Sequence, residues 1–244
     1  MEYSGKSPVR VDEYPLLDGA RHPFAVICPG GGYEKISDPL EGADFARRLN
    51  GLGCAAFVVH YSVGQAARFP APLDDLAAAV RGILDRAEEL NLRPEGYSVW
   101  GASAGGHLAA CFGTERLGWK KYGLPRPGAL VLCYPVVTME EPLTHTGSRQ
   151  RLLGPDPDPA LVESTSAEKL VTPAWPPTFL WWGEADAAVD PANSRMLLAA
   201  MEAAGVRCEH TSWPGVGHGV GLGEGLPCAG WLQRAVEFWR QAVL

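Results

Sequence analysis

Apolar positions along this chain fall into two rhythms. Short runs with almost no polar interruption, such as Phe24-Ala25-Val26-Ile27-Cys28 and Thr178-Phe179-Leu180-Trp181-Trp182, have the character of strands buried on both faces. Runs at 97–100 and 129–134, a run closing on His60, and an alternating stretch over 207–213 add further strands. Between them the apolar residues recur every three or four positions, which predicts helices over 39–52, 74–91, 104–112, 191–204 and 231–243. Along the second of these, Leu73, Leu76, Val80, Ile83, Leu84, Ala87 and Leu90 form a stripe that covers a sheet, a core feature and not a binding motif. Strands alternating with helices imply βαβ crossovers. The expected fold class is α/β, a mostly parallel central sheet flanked by helices on both faces, in a single domain over 1–244.

Two places break the rhythm. About two dozen residues precede the first clear strand, which leaves the strand count open at that end. Between 138 and 172 the pattern loosens into acids and prolines, including Gly154-Pro155-Asp156-Pro157-Asp158-Pro159. This stretch follows one strand and precedes another, so it is expected to form a small insertion over the active site, with a solvated connector as the alternative.

Composition narrows the partners. A net charge of −7 disfavours nucleic acid and anionic membrane surfaces. No apolar stretch is long enough to span a bilayer, and residues 1–18 lack the charged-then-apolar order of a signal peptide, so the cytoplasm is the expected location. The six cysteines include Cys28, Cys54, Cys111 and Cys133 inside apolar runs and show no metal-ligand spacing. Free, mostly buried thiols are expected, and neither a metal nor a cofactor is implied.

The candidate chemistry centres on Gly101-Ala102-Ser103-Ala104-Gly105, a G-x-S-x-G pattern between a strand and a helix. Such a strand-to-helix turn lifts the serine hydroxyl clear of the sheet and sets it at a helix N-terminus, where free N–H groups favour negative charge. A serine nucleophile needs a general base and an orienting carboxylate; in the fold class where this turn occurs they follow the serine in the order acid then histidine. Asp186, in the turn Gly183-Glu184-Ala185-Asp186 after an apolar strand, leads as the acid, with Asp190 and Glu184 as competitors. Asp190 already has a local role as helix cap before Pro191. His218, in Pro214-Gly215-Val216-Gly217-His218-Gly219 at a strand's end, is the candidate base. His22, His60, His107, His145 and His210 read as packed or solvated side chains. Pro29-Gly30-Gly31-Gly32-Tyr33, after another strand, offers backbone N–H groups to an oxyanion from Gly31 and Gly32, together with that of Ala104. Glycine recurs at every second position over 215–225, so the base loop is expected to be mobile and His218 only partly pre-positioned. Trp182 and Trp213 lie near strand ends leading to Asp186 and His218, where each is either a platform for a sugar ring or part of the core.

Taken with Val58 to Val63, Pro70-Ala71-Pro72-Leu73-Asp74-Asp75, Cys133-Tyr134-Pro135-Val136, His145-Thr146-Gly147-Ser148 and Pro176-Pro177-Thr178-Phe179-Leu180, these motifs resemble the α/β-hydrolase superfamily. Within it the likeness is to small bacterial carbohydrate esterases and acetylesterases, relatives of acetyl xylan and feruloyl esterases. Proline at position 29 replaces the histidine of the HGGG pattern and separates the chain from the hormone-sensitive-lipase-like branch. The resemblance implies a serine esterase acting on short acyl esters of sugars or oligosaccharides. A serine peptidase similar to prolyl oligopeptidases and a catalytically silent binding module are the alternatives.

Overall fold

The computed structural model describes residues 9–243. Of the segment read as lacking a leader, residues 1–8 lie outside the described residues. The strands are β1 (Arg10–Tyr14), β2 (Phe24–Cys28), β3 (Ala55–His60), β4 (Ser98–Ala102), β5 (Ala129–Cys133), β6 (Thr178–Gly183) and β7 (Cys208–Trp213). They form one sheet in the order β1-β3-β2-β4-β5-β6-β7. From β3 to β7 every pairing is parallel; only β1 runs antiparallel, with Arg10 opposite His60 and Tyr14 opposite Ala56. β1 resolves the open strand count. Its half-exposed, charged sequence RVDEY has too few apolar positions to register as a strand, yet suits an edge that must not recruit another chain.

The helices are α1 (Ala43–Gly51), α2 (Ala71–Asp85), α3 (Ser103–Gly113), α4 (Thr146–Leu153), α5 (Pro159–Thr165), α6 (Ala192–Ala203) and α7 (Trp231–Val243). α1 touches α7 on one face of the sheet, while α2 and α3 contact each other on the other. Two helices differ from the sequence pattern at their starts. The segment expected to begin a helix at residue 39 instead makes turns, because Asp38 Oδ1 caps Ala43 N–H at 2.7 Å and Glu41 is drawn into the interior. α2 begins at Ala71, since Pro72 is tolerated in a first helical turn. The loosened region after β5 is ordered: it carries α4, capped by His145, and α5, capped by Asp158 with Pro159 at its first position.

The chain passes from β2 outward to β3 and then returns across β2 to β4. The connections leaving β2 and β4 therefore diverge to opposite faces, and a crevice opens at the carboxyl ends of these two strands. Beneath it lies an aromatic core in which Trp181 meets Tyr134 at 4.8 Å and Trp231 at 5.1 Å between ring centroids. Trp213 joins this cluster edge-on against Trp181 at 5.4 Å, and Trp182 is buried, with its Nε1 donating to Glu184. Both tryptophans are engaged in packing, which favours the core reading over a sugar platform.

Candidate active site

β4 runs directly into α3, and the junction forces Ser103 to φ 54°, a left-handed conformation that strains any residue with a side chain. The flanking glycines are steric necessities. A Cβ on Gly101 would lie 2.2 Å from the Gly105 carbonyl oxygen, and one on Gly105 would lie 2.0 Å from that of Cys28. Ser103 thereby projects at the head of α3, and its carbonyl is held by the Val136 N–H at 3.0 Å.

Asp186 sits in the turn after β6. Its Oδ1 accepts the N–H groups of Ala188 and Val189, each at 2.9 Å, which leaves Oδ2 facing His218 Nδ1 at 2.6 Å. His218 Nε2 lies 2.7 Å from Ser103 Oγ. A carboxylate only accepts hydrogen bonds, so Asp186 places the imidazole proton on Nδ1 and leaves the Nε2 lone pair for the serine hydroxyl. The three residues expected from the sequence are brought together. The competing acids are not: Asp190 caps the Ala192 N–H at 2.8 Å, and Glu184 is taken by Trp182 Nε1 and Arg195. His22 and His60 pair with Asp18 and Asp12, and His210 is exposed against Trp182.

The loop after β2 closes over this centre. A Cβ on Gly30 would fall 2.9 Å from Ser103 Cβ, so only glycine allows the approach. Among the described residues, no hydrogen-bond acceptor takes the N–H of Gly31, Gly32 or Ala104. Gly30 N–H, by contrast, donates to Glu41 Oε2 at 2.9 Å.

The base loop is held more firmly than its glycines suggest. Gly221 N–H donates to Tyr134 Oη at 3.2 Å, its carbonyl accepts Trp231 Nε1 at 3.0 Å, and Leu40 lies where a Cβ on Gly221 would go. His218 is joined to both of its partners. Positive φ at Gly219, Gly221 and Gly223 shows that these glycines serve tight turns.

Three residues around the site were not recognised from the sequence. Glu41 is buried, at 2% exposure, although it stands in a segment that reads as the start of an amphipathic helix. Burial pushes its carboxyl above the usual carboxylate range, opposed by hydrogen bonds from Tyr134 and Gly30 and by the nearby His218. Tyr134, at φ 37°, donates its hydroxyl to Glu41 Oε1 at 2.7 Å and lays its ring 4.9 Å from the His218 ring. His145 lies with Cε1 3.7 Å from where a Gly32 Cβ would stand. Its Nδ1 accepts the Ser148 N–H at 3.2 Å, which leaves the proton of the neutral ring on Nε2. Burial lowers the proton affinity of His145, and the neighbouring His218 adds to the effect. The only sequence signal for His145 was its place in the His145-Thr146-Gly147-Ser148 motif.

Among the described residues, one group has metal-ligand types close together: Asp12, Asp38 and His60, with ligand atoms within 4.8 Å of one another. Arg10 occupies both oxygens of Asp12 at 2.9 Å, so an arginine already neutralises this cluster on the β1 edge. All six cysteines are free, and burial pushes the thiols of Cys28, Cys111 and Cys133 well up, away from a nucleophilic state. Among the described residues, no helix is long and apolar enough to cross a membrane.

A family model described as the alpha/beta hydrolase fold matches residues 26–222. An acetylxylan esterase of Xylanibacter ruminicola is 33% identical over 202 residues, which cover 81% of this chain and 41% of that protein. An endo-1,4-beta-xylanase B of Butyrivibrio fibrisolvens is 30% identical over 223 residues, covering 88% of this chain and 35% of that protein. The chain thus spans less than half the length of these curated relatives. Among solved structures, an acetyl ester-xyloside bifunctional hydrolase from Caldicellulosiruptor lactoaceticus superposes with a TM-score of 0.88 at 34% identity, over 96% of this chain and 88% of that one. A carboxylesterase from Lactobacillus plantarum follows with a TM-score of 0.84 at 25% identity, over 100% of this chain and 97% of that one.

Proposed function

This chain belongs to the alpha/beta-hydrolase fold family, and from that premise we propose that it is a serine esterase releasing short acyl groups, acetyl foremost, from sugars or oligosaccharides. The observation that carries the proposal is the continuous chain of hydrogen bonds from Asp186 through His218 to Ser103, 2.6 and 2.7 Å long, at the head of α3. In the proposed reaction Ser103 Oγ attacks the ester carbonyl while His218 Nε2 takes its proton, and Asp186 stabilises the imidazolium. The negative charge on the carbonyl oxygen is received by the N–H groups of Gly31, Gly32 and Ala104, and the dipole of α3 adds to the effect. His218 then protonates the departing alcohol. Water, deprotonated by the same histidine, releases the acid from the acyl-enzyme.

The sugar preference is supported by the relatives named for acetylxylan and acetyl ester-xyloside hydrolysis. The ordered segment over 138–172 is proposed as a small cap, since His145 brings its ring against Gly32 at the crevice. A fluorophosphonate probe is expected to label Ser103 and to fail with Ser103→Ala; equal labelling of both would overturn the assignment. A panel of acetylated xylo-oligosaccharides, nitrophenyl esters and peptide anilides, with released acid or amine measured directly, separates a carbohydrate esterase from a general esterase and from a peptidase. Turnover of the anilides alone would refute esterase activity, and labelling without any turnover would favour a binding module.

A further inference from the structure

Two loops must meet over Ser103 for any acyl transfer there, and they come from distant parts of the chain. One holds Gly30, Gly31 and Gly32; the other holds His218 and Gly221. A single buried carboxyl group stands between them. Glu41 Oε2 accepts the Gly30 N–H at 2.9 Å, and Oε1 accepts the Tyr134 hydroxyl at 2.7 Å. The same hydroxyl oxygen accepts the Gly221 N–H at 3.2 Å, three residues beyond His218, whose imidazole lies against the Tyr134 ring. The path from the first loop to the second is therefore Gly30, Glu41, Tyr134, Gly221, with each donor matched to one acceptor.

We propose that Glu41 is a positioning residue that ties the glycine loop to the base loop, so that the oxyanion donors and His218 keep a common register around Ser103. This role rests on the serine-hydrolase reading above. The chemistry of the group explains why a carboxylate is used. As an ionised group it offers acceptors on both oxygens, whereas a glutamine of the same shape offers one acceptor and one donor. Glutamine at this position can keep the Gly30 bond only by turning its NH₂ towards Tyr134, which leaves the phenolic proton without an acceptor in a buried site. Leucine removes both acceptors. Tyr134→Phe keeps the ring against His218 but removes the link to Gly221.

The test measures kcat and KM for an acetyl ester, together with melting temperature, in Glu41→Gln, Glu41→Leu, Tyr134→Phe and the Glu41→Gln/Tyr134→Phe pair. Glu41→Gln is expected to lower kcat about tenfold and Glu41→Leu about a hundredfold, with KM within about twofold, because the loss falls on transition-state geometry. Tyr134→Phe is expected to match Glu41→Gln, and the double variant to be no worse than the more damaged single, since both break one path. A merely structural Glu41 would lower the melting temperature while the folded fraction kept its kcat. Folded Glu41→Gln and Tyr134→Phe proteins with wild-type kcat, or additive losses in the pair, would overturn the proposal even if Glu41→Leu does not fold. Ser103→Ala separates this failure from the deeper one: unchanged turnover in that variant would refute the serine-hydrolase reading itself.

Discussion

His218 meets Ser103 at its hydroxyl, His107 lies one turn along α3 from it, and each ring is bonded at both nitrogens. Their surroundings differ in kind. His218 has a carboxylate at Nδ1 and a hydroxyl at Nε2, and its side chain keeps 19% of its surface exposed. His107, one turn along α3 from Ser103, is buried between the Tyr33 hydroxyl at Nδ1 and the Thr165 carbonyl at Nε2, both at 2.8 Å. A carbonyl only accepts, so Nε2 carries the proton and Nδ1 is the acceptor for Tyr33. A second proton on that ring would break the bond to Tyr33 and leave a charge among neutral groups, and burial pushes its pKa down to about 4. The comparison teaches that an imidazole is placed to act as a base where a carboxylate stands behind it and a hydroxyl in front; His22 and His60 have the carboxylate alone. Without the anion the same side chain is a pin, here fastening α3 to the glycine loop and to the last residue of α5.

The sharpest way to break the comparison is to remove each ring. His218→Ala is expected to lower kcat by roughly 10⁴ to 10⁶, and Asp186→Asn by about 10⁴ through the wrong imidazole tautomer. His107→Gln is expected to stay within about tenfold of wild type, and Asp190→Asn to remain active because asparagine still caps α6. Steady-state assays on nitrophenyl acetate decide the matter, and an inactive His107→Gln beside an active His218→Ala would reverse the assignment.

A second prediction sharpens the burial side of the comparison. The folded pKa of His107 lies near 4, below the ordinary value of 6.5, so between these limits the unfolded chain binds more protons than the folded one. The contribution of this group to stability is therefore full above pH 6.5 and falls as the pH drops towards 4. Between pH 7 and 5 the loss amounts to about 2 kcal/mol. Urea unfolding at the two pH values is expected to show this loss in the wild type and to lack that share of it in His107→Gln. Equal losses in both proteins would mean that His107 is not the acid-sensitive group.

The smallest expected effect belongs to His145, which stands between the two cases: half buried, near His218 and Asp186, with a proton on Nε2 and Ser148, not a carboxylate, bonded at Nδ1. A hydrogen bond from Nε2 to a hydroxyl of the leaving alcohol is expected, so His145→Ala should raise KM for an acetylated sugar about two- to tenfold. KM for nitrophenyl acetate, whose leaving group has no such hydroxyl, should stay the same. Equal changes for both esters would remove His145 from substrate recognition.

Much of this was open to a reading of the sequence because the determinants are local. The apolar runs at β2 and β6 announce buried strands, and Gly101 and Gly105 announce a turn in which backbone approaches backbone. Asp190 before Pro191 announces a helix cap and so removes a competitor for Asp186. The same local logic failed where the local signal was ambiguous. β1 has too few apolar positions to stand out, and residues 39–42 follow a helical pattern without being helix.

What the sequence by itself determined was the central strands and the helices between them, the tight turn at the serine and the order of acid and base, because each follows from the backbone conformations and burial that neighbouring residues allow. The tertiary structure alone decided which groups complete the site. Glu41 and Tyr134 are 93 residues apart, and Ser103 and His218 are 115 apart. Hydrogen bonds across such separations leave no periodicity in the chain. They exist because the winding of the sheet reverses at β2 and β4 and gathers the strand ends into one crevice, where a carboxyl group that reads as a surface residue becomes buried between two loops.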